Sequence, residues 1–181
     1  MRADARRNYD KVLAAAREAF AETGTGTSLE EIARRAGVGI GTLYRHFPNR
    51  QQLLEAVYVD EVEAIARSSS ELLELPPWEA LVGWVDRLRS YMVTKQALAQ
   101  ELLEYMDRDA KLFSVCRNAL HGSGRPIVER AQAAHVVRDD VSVEEIVQMV
   151  LGITKIPTSD PGQFDRFMQI ALDGLRYQAA S

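Results

Sequence analysis

Apolar residues recur at helical spacing along most of the chain, whereas β-branched residues never alternate over a bounded run as they do in strands. The pattern therefore predicts an all-α fold. The first predicted helix runs from about Arg6 to Thr23. One of its faces is apolar and is expected to pack on the helices that follow; it consists of Tyr9, Leu13, Ala16 and Phe20.

A short second helix follows, with helically spaced apolar residues at 29, 32, 33 and 36. Two capping boxes are possible at its start, Thr27 with Glu30 or Ser28 with Glu31, because either hydroxyl can accept a free backbone N–H while the glutamate reaches back. Gly37 is expected to end this helix, since glycine adopts the left-handed conformation at little cost.

The third helix is predicted to begin near Gly39, to bury Leu43 and Phe47 one turn apart, and to end at Pro48. Its opposite face carries small residues at the start and hydrogen-bond donors towards the end, which suits entry into a major groove. That face consists of Ile40, Gly41, Thr42, Tyr44, Arg45 and His46. The pattern predicts a helix-turn-helix that binds DNA.

Residues from about 8 to 58 resemble the DNA-binding domain of the tetracycline-repressor (TetR) family of bacterial transcription regulators. The motif G-x-L-Y-x-H-F at residues 41–47 is the specific part of the resemblance. Other matching residues are Ala15, Ala16, Phe20, Glu22, Gly24, Ile32, Ala33, Gly37 and Val38. The chain departs from the family at Gly39, usually Ser or Thr, and at Arg50, usually Lys. Glycine still serves as an N-cap and arginine still supplies a positive charge.

The resemblance implies roles for residues of the third helix on double-stranded DNA. Tyr44 and His46 would contact phosphates, and Thr42 and Arg45 would read bases, since arginine binds guanine O6 and N7 together. The alternatives are that Tyr44 packs on the first helix and that His46 caps the end of its own helix. The whole predicted DNA-binding set is Thr27, Ser28, Ile40, Gly41, Thr42, Tyr44, Arg45, His46 and Arg50.

The rest of the chain predicts six further helices. The fold is therefore predicted as a three-helix DNA-binding domain over residues 1–48 and a six-helix ligand-binding and dimerisation domain over residues 49–181. The predicted segments are residues 49–69 with an Asn49–Gln52 cap, 76–95, 97–106, a helix from about Asp109, 142–156 with a Ser142–Glu145 cap, and 160–179 opening at Asp160. Pro126, near Gly122 and Gly124, is expected to kink or interrupt the helix that contains it.

The helix after Pro76 is apolar on several faces and is expected to be centrally buried. Aromatic and methionine side chains there favour a permissive apolar pocket, although core packing is the alternative reading of each residue. The predicted ligand-binding set is Trp84, Leu88, Tyr91, Met92, Met106, Phe113 and Cys116.

The last two helices carry apolar stripes that close either the chain's own core or a dimer. The family resemblance implies the dimer, as a four-helix bundle formed with a second chain. The predicted interface set is Ile146, Val150, Phe164, Phe167, Met168, Ala171 and Leu175.

Charge is distributed unevenly over the 181 residues, whose net charge is −4. Residues 1–52 hold nine basic and six acidic side chains, a net of +3, and the remainder has a net of −7. The basic part carries the helix-turn-helix, and an acidic remainder would orient its approach to DNA. A single cysteine excludes an internal disulfide, and the lack of a long apolar run or signal peptide predicts a cytoplasmic protein without a membrane partner.

The predicted function is a homodimeric regulator, a repressor of an inverted-repeat operator that a small apolar effector releases. The alternative is a constitutive or architectural DNA-binding dimer without an effector. An enzyme is disfavoured, because His46, His121 and His135 show no metal-ligand spacing and no glycine-rich phosphate loop follows a strand; no cofactor is predicted. An adaptor that does not bind DNA is disfavoured by the groove-facing Thr42, Tyr44 and Arg45.

Overall fold

The structure, a computed structural model, describes residues 2–24, 26–106, 110–157 and 160–177. Its helices are α1 (Arg2–Thr23), α2 (Leu29–Ala36), α3 (Ile40–His46), α4 (Arg50–Leu72), α5 (Pro77–Leu102), α6 (Lys111–Ala133), α7 (Val143–Thr154) and α8 (Pro161–Gly174). Within these ranges no strand forms, and the extended pairing is an isolated antiparallel bridge between Val137 and Arg176. The predicted all-α fold with an N-terminal helix-turn-helix is confirmed.

Local capping explains where α2 and α3 begin and end. The Oγ atom of Ser28 accepts the backbone N–H of Glu31 at 3.2 Å, so Ser28, and not Thr27, is the N-cap of α2. Gly37 ends α2 at a φ of 66°, in the left-handed region, as predicted. Gly39 precedes α3 in an extended conformation and caps it through its backbone alone. Two glycines therefore specify the turn of the helix-turn-helix.

Helix α1 packs against α2 and α3. Leu13 and Phe20 are buried and Tyr9 is half-buried, which confirms the predicted inner face. Helix α4 begins where the side-chain oxygen of Asn49 accepts the backbone N–H of Gln52 at 2.9 Å, as predicted. The buried stripe of α4 consists of Leu53, Leu54, Val57, Tyr58, Val62 and Ile65.

The predicted boundary between a helix ending near Lys95 and another over residues 97–106 is wrong, because α5 is continuous from Pro77 to Leu102. No glycine or proline lies between residues 84 and 102, so nothing in that stretch ends a helix. The expected central burial of α5 is confirmed by its fully buried residues, which are Leu81, Trp84, Leu88, Leu98 and Leu102.

Helix α6 continues through Pro126, so of the predicted kink or interruption the interruption is wrong, and the kink stays a prediction. Pro126 is exposed, whereas Gly124 and Ile127 on either side of it are buried. Burial of these neighbours offsets the backbone hydrogen bond that a proline removes from a helix. The predicted start of this helix near Asp109 lies outside the described residues.

Helices α7 and α8 begin at the predicted caps. Ser142 and Glu145 form a reciprocal box: the serine Oγ accepts the glutamate N–H at 3.2 Å, and the glutamate Oε2 accepts the serine N–H at 2.8 Å. Asp160 caps α8 by accepting a backbone N–H of its first turn at 2.9 Å. Helix α8 ends at Gly174, and the predicted end near Ala179 lies outside the described residues.

The chain divides into two compact units, each made of two segments. The first unit comprises Met1–Glu61 and Thr94–Phe113, and the second comprises Val62–Val93 and Ser114–Ser181. Helices α4, α5 and α6 each contribute residues to both units. The predicted domain boundary between residues 48 and 49 therefore falls inside the first unit. The division into a DNA-binding part and a ligand-binding and dimerisation part stays a prediction. None of the helices in the described ranges has both the length and the apolar character needed to span a membrane.

Candidate functional site

The outer face of α3 is the candidate DNA-contacting surface. Leu43 is fully buried and Phe47, the residue that ends the helix, is 3% exposed, so these two side chains anchor the helix to the core. Tyr44 is 44% exposed and Ile40 is 38% exposed. Gly41 and Arg45 are exposed, and Thr42 and His46 are half-buried. The structure therefore places the six predicted α3 residues on the face that the spacing assigns to them.

Tyr9 of α1 fixes the end of α3. Its ring stacks on Phe47 with 4.9 Å between ring centroids, and it meets His46 edge-on at 6.0 Å. His46 therefore packs on α1 in addition to lying beside the exposed face. Arg45 is exposed, so its guanidinium can reach an external partner.

The hydroxyls of Thr27 and Ser28, predicted to bind phosphate, are used within the chain. Thr27 Oγ1 lies 2.6 Å from Thr23 Oγ1 and donates to the carbonyl of Gly24 at 3.3 Å. Ser28 Oγ is the cap of α2. These side chains shape the start of α2, and the prediction that they also contact DNA stays open.

An ion-pair network across α1 and α2 was not predicted from the sequence. The Glu31 carboxylate accepts hydrogen bonds from Arg34 at 2.7 and 2.8 Å and from Arg35 at 2.9 Å, and Arg35 also donates to Glu22 at 2.6 Å. Hydrogen bonds from Arg34 and then Arg35 lower the pKa of Glu31 from 4.5 to about 2. The helical spacing of three and four residues is a signal for the Glu31 pairs, whereas the bond to Glu22 has no local signal.

Arg50 was predicted to bind a phosphate, but the structure assigns its guanidinium to contacts within the chain. Nε donates to Glu101 Oε1 at 2.6 Å, and Nη1 donates to the Thr27 carbonyl at 2.7 Å. The guanidinium also lies over the Phe20 ring, 5.7 Å from its centroid. With three partners inside the first unit, Arg50 is a structural residue in this conformation.

The predicted ligand-binding residues fall into two groups. Five belong to the second unit and are at most 3% exposed: Trp84, Leu88, Tyr91, Met92 and Cys116. Met106 and Phe113 belong to the first unit and are half-buried. Phe113 packs edge-on against Tyr58 at 5.5 Å. The burial of these five agrees with core packing, the alternative reading of this set, and their role in binding a ligand stays a prediction.

Trp84 brings a buried polar atom into that core. Its side chain is completely buried, and its Nε1 donor has no hydrogen-bond acceptor among the described residues. Gly124 of α6 faces the ring so closely that a Cβ atom there would lie 2.1 Å from Cζ2. A buried donor without an acceptor costs about 1–3 kcal/mol. The indole therefore has a buried donor that could hydrogen-bond an acceptor.

The predicted dimer set is divided by burial. Ile146 and Val150 are fully buried within the second unit, and Met168 and Leu175 are at most 7% exposed, so assigning these four to a surface between chains is a wrong prediction. They form the chain's own core, where α7 packs against α8. The members that keep accessible area are half-buried: Phe164, Phe167 and Ala171. Ile170, which was not predicted, is 62% exposed on α8.

The remaining candidate features are metal-ligand clusters and surface grooves. Among the described residues, no group of three His, Cys, Asp or Glu side chains could hold a metal ion. A surface groove of about 300 Å³ lies in the second unit, away from the predicted ligand-binding residues. It is lined by Arg138, Asp139, Asp140, Arg176 and Tyr177.

Two family models match the chain. The model described as bacterial regulatory proteins of the tetR family matches residues 12–57. The model described as the C-terminal domain of SbtR-like transcriptional regulators matches residues 76–177. The first match contains the helix-turn-helix, and the second spans more than half of the chain.

Similar proteins are found among solved structures and among curated proteins. The TetR transcriptional regulator SCO0520 from Streptomyces coelicolor is 36% identical, with 94% of this chain and 99% of that one covered and a TM-score of 0.80. A TetR transcription regulatory protein from Mycobacterium vanbaalenii is 34% identical, with 97% and 98% covered and a TM-score of 0.79. The HTH-type transcriptional regulator UidR of Escherichia coli (strain K12) is 23% identical over 159 residues, which are 85% of this chain and 81% of that protein.

Proposed function

Because the chain belongs to the TetR family of bacterial regulatory proteins, we propose that it represses transcription by binding an inverted-repeat operator as a homodimer. A small, largely apolar effector then releases it. Membership makes the protein a DNA-binding transcriptional regulator and not an enzyme. Such a regulator acts in the cytoplasm, where bacterial DNA lies. The observation that carries the proposal is the face of α3, where Tyr44 and Arg45 project to solvent beside buried Leu43.

The roles of Tyr44 and Arg45 on DNA differ. Tyr44 contacts the phosphate backbone, so Tyr44→Ala should weaken binding to every duplex. Arg45 reads a base edge, so Arg45→Ala should cost about 1–3 kcal/mol on the operator and much less on random DNA.

The test begins with a duplex that the wild-type protein enriches from a randomised pool, and compares it with a random duplex of the same length. Arg117→Ala is the matched control, because it removes one exposed positive charge from α6. Equal losses on both duplexes for Arg45→Ala would reassign Arg45 to backbone contact. A wild-type protein that enriches no sequence would overturn the operator proposal.

The homodimer is supported by the exposed side of α8. Ile170 is 62% exposed, and Phe164, Phe167 and Ala171 on the same helix are half-buried. A stable two-fold interface buries about 1,600 Å² in total, which requires accessible parts of α7 as well. Its two α3 helices would enter successive major grooves about 34–36 Å apart. Monomers in sedimentation at micromolar concentration, with footprints that lack two-fold symmetry, would refute the dimer.

The effector proposal rests on the core around Trp84. Its buried, unpaired Nε1 donor suits a ligand that is mostly apolar but carries one hydrogen-bond acceptor. TetR-family regulators often bind small molecules. An effector that prefers the non-binding conformation by about 1–3 kcal/mol would weaken operator affinity roughly 5- to 150-fold. Binding would be transmitted through α4, which starts directly after the helix-turn-helix.

A constitutive DNA-binding dimer is the second candidate, because Trp84 and Leu88 are completely buried and packed. A library of small apolar carbonyl and phenol compounds separates the two candidates. Under the effector proposal, some compounds raise the melting temperature, release operator DNA and change the tryptophan fluorescence of the wild type but not of a Trp84→Phe variant. If no compound raises the melting temperature and none releases operator DNA, the constitutive candidate holds.

A further inference from the structure

Arg50 closes the base of the helix-turn-helix. Thr27 is the residue before the N-cap of α2, and Arg50 is the first residue of α4, four residues after His46 at the end of α3. The 2.7 Å hydrogen bond from Arg50 Nη1 to the Thr27 carbonyl therefore joins the two ends of the segment that contains α2 and α3. One side chain thus holds together the start and the end of the DNA-contacting element.

Glu101, near the C-terminal end of α5, orients that side chain. Its carboxylate accepts Arg50 Nε at 2.6 Å and Nη2 at 3.4 Å, on the edge of the guanidinium next to the nitrogen that reaches Thr27. The two side chains are only 24% and 13% exposed, so water screens the pair weakly. Leu98 and Leu102, on either side of Glu101, are fully buried and fix its backbone.

Arginine can donate hydrogen bonds to two acceptors that lie in different directions. Its planar guanidinium presents five N–H groups at fixed angles, whereas a lysine ammonium acts as a compact point charge. The stacking of Arg50 over Phe20 of α1 further restricts the orientation of the guanidinium plane. Removal of Glu101 would leave the guanidinium free to rotate away from the Thr27 carbonyl.

We propose that Glu101 is a positioning residue for DNA binding, which acts through Arg50 to hold α2 and α3 in the orientation that reads the operator. The inference rests on the proposed contact of α3 with a specific DNA sequence. It goes against simple electrostatics, since a carboxylate close to a DNA-binding element repels phosphates. Loss of Glu101 should therefore weaken specific binding although it removes a negative charge.

The experiment measures the affinity of full-length Glu101→Gln for the enriched duplex and for a random duplex of equal length. Glu104→Gln is the matched control, because it removes the same charge from an exposed residue. Glu104 lies in the first unit, three residues after Glu101. We expect Glu101→Gln to bind the enriched duplex about tenfold more weakly, from the loss of charge-assisted hydrogen bonds, and the random duplex no more weakly. Glu104→Gln should bind both duplexes equally or more tightly.

Three further variants separate positioning from a general loss of structure. Arg50→Lys keeps the charge and loses the fork, so it should reproduce the loss of specific affinity. The double variant Arg50→Lys with Glu101→Gln should lose little more specific affinity than either single variant, because both changes break the same hydrogen-bonded pair. Glu101→Asp should retain part of the affinity for the enriched duplex that Glu101→Gln loses.

Two results would overturn the proposal: equal behaviour of Glu101→Gln and Glu104→Gln on both duplexes, or additive losses in the double variant. A wild-type protein that distinguishes no sequence would instead refute the proposed operator binding.

Discussion

Gly124 provides a quantitative test of the packing in the second unit. A Cβ atom at this position would lie 2.1, 2.5 and 2.6 Å from Cζ2, Cη2 and Cε2 of Trp84, whereas ordinary contacts begin at 3.4 Å. The indole would have to move by more than about 1 Å. Because Trp84 is completely buried, it cannot move towards solvent. We therefore expect Gly124→Ala to destabilise the protein by overpacking.

The magnitude follows from a comparison within the same helix. Gly122 lies two residues earlier in α6, is exposed, and has nothing within 4 Å of an added Cβ. Gly122→Ala should stabilise the protein by about 1 kcal/mol, because alanine favours a helix interior over glycine. Gly124→Ala receives the same propensity gain, but overpacking of about 1–3 kcal/mol or more opposes it. The propensity gain cancels between the two variants, so their free energies of unfolding should differ by the overpacking alone, about 1–3 kcal/mol or more.

Urea unfolding followed by circular dichroism measures this difference. Protomer concentration must be equal for all variants, because dimerisation would contribute to stability. Trp84→Phe replaces the indole by a smaller ring. Gly124→Ala should therefore lower the free energy of unfolding less in the Trp84→Phe variant than in the wild type. Equal stability of the two alanine variants, or an unchanged cost beside phenylalanine, would refute the packing of Trp84 on Gly124.

Two other predictions concern helix starts. Arg34 and Arg35 lower the pKa of Glu31 to about 2, so its stabilising effect is complete above pH 4.5 and is lost as the pH falls to about 2. In urea unfolding, Glu31→Gln should therefore be less stable than wild type near neutral pH, with a gap that closes on acidification; a constant gap would contradict this. Ser142→Ala should cost about 0.5–2 kcal/mol by removing the cap of α7. The control Ser90→Ala, within α5, should not be destabilising.

Helix starts could be predicted because their signals lie within a few residues. The boxes at Ser142 and the cap at Asn49 satisfy backbone groups three residues away. Helix ends inside the second half were predicted less well. Continuity of α6 through Pro126 depends on buried neighbours such as Ile127, and no local pattern reveals that burial.

The orientation of α3 was predictable, but part of its surroundings was not. The spacing of Leu43 and Phe47 determines which residues face outward, and the structure confirms that face. The roles of Tyr9 and Arg50 depend on partners 23–51 residues away in sequence. Arg50 has the chemistry of a phosphate-binding residue, yet its carboxylate partner on α5 gives it a different role. Residue type predicts what a side chain can bind, and only the fold determines whether that capacity is already used.

The same distinction applies to the C-terminal helices. An apolar stripe shows that a helix face is buried, but its spacing does not tell whether the partner belongs to the same chain. Ile146 and Val150 are buried without any second chain, so they cannot be what a dimer covers in this conformation. Ile170, which lies outside the predicted interface set, is the large apolar side chain of α8 left exposed. If the homodimer forms through α8, Ile170→Asp should therefore dissociate it, whereas Met168→Asp would unfold the chain itself.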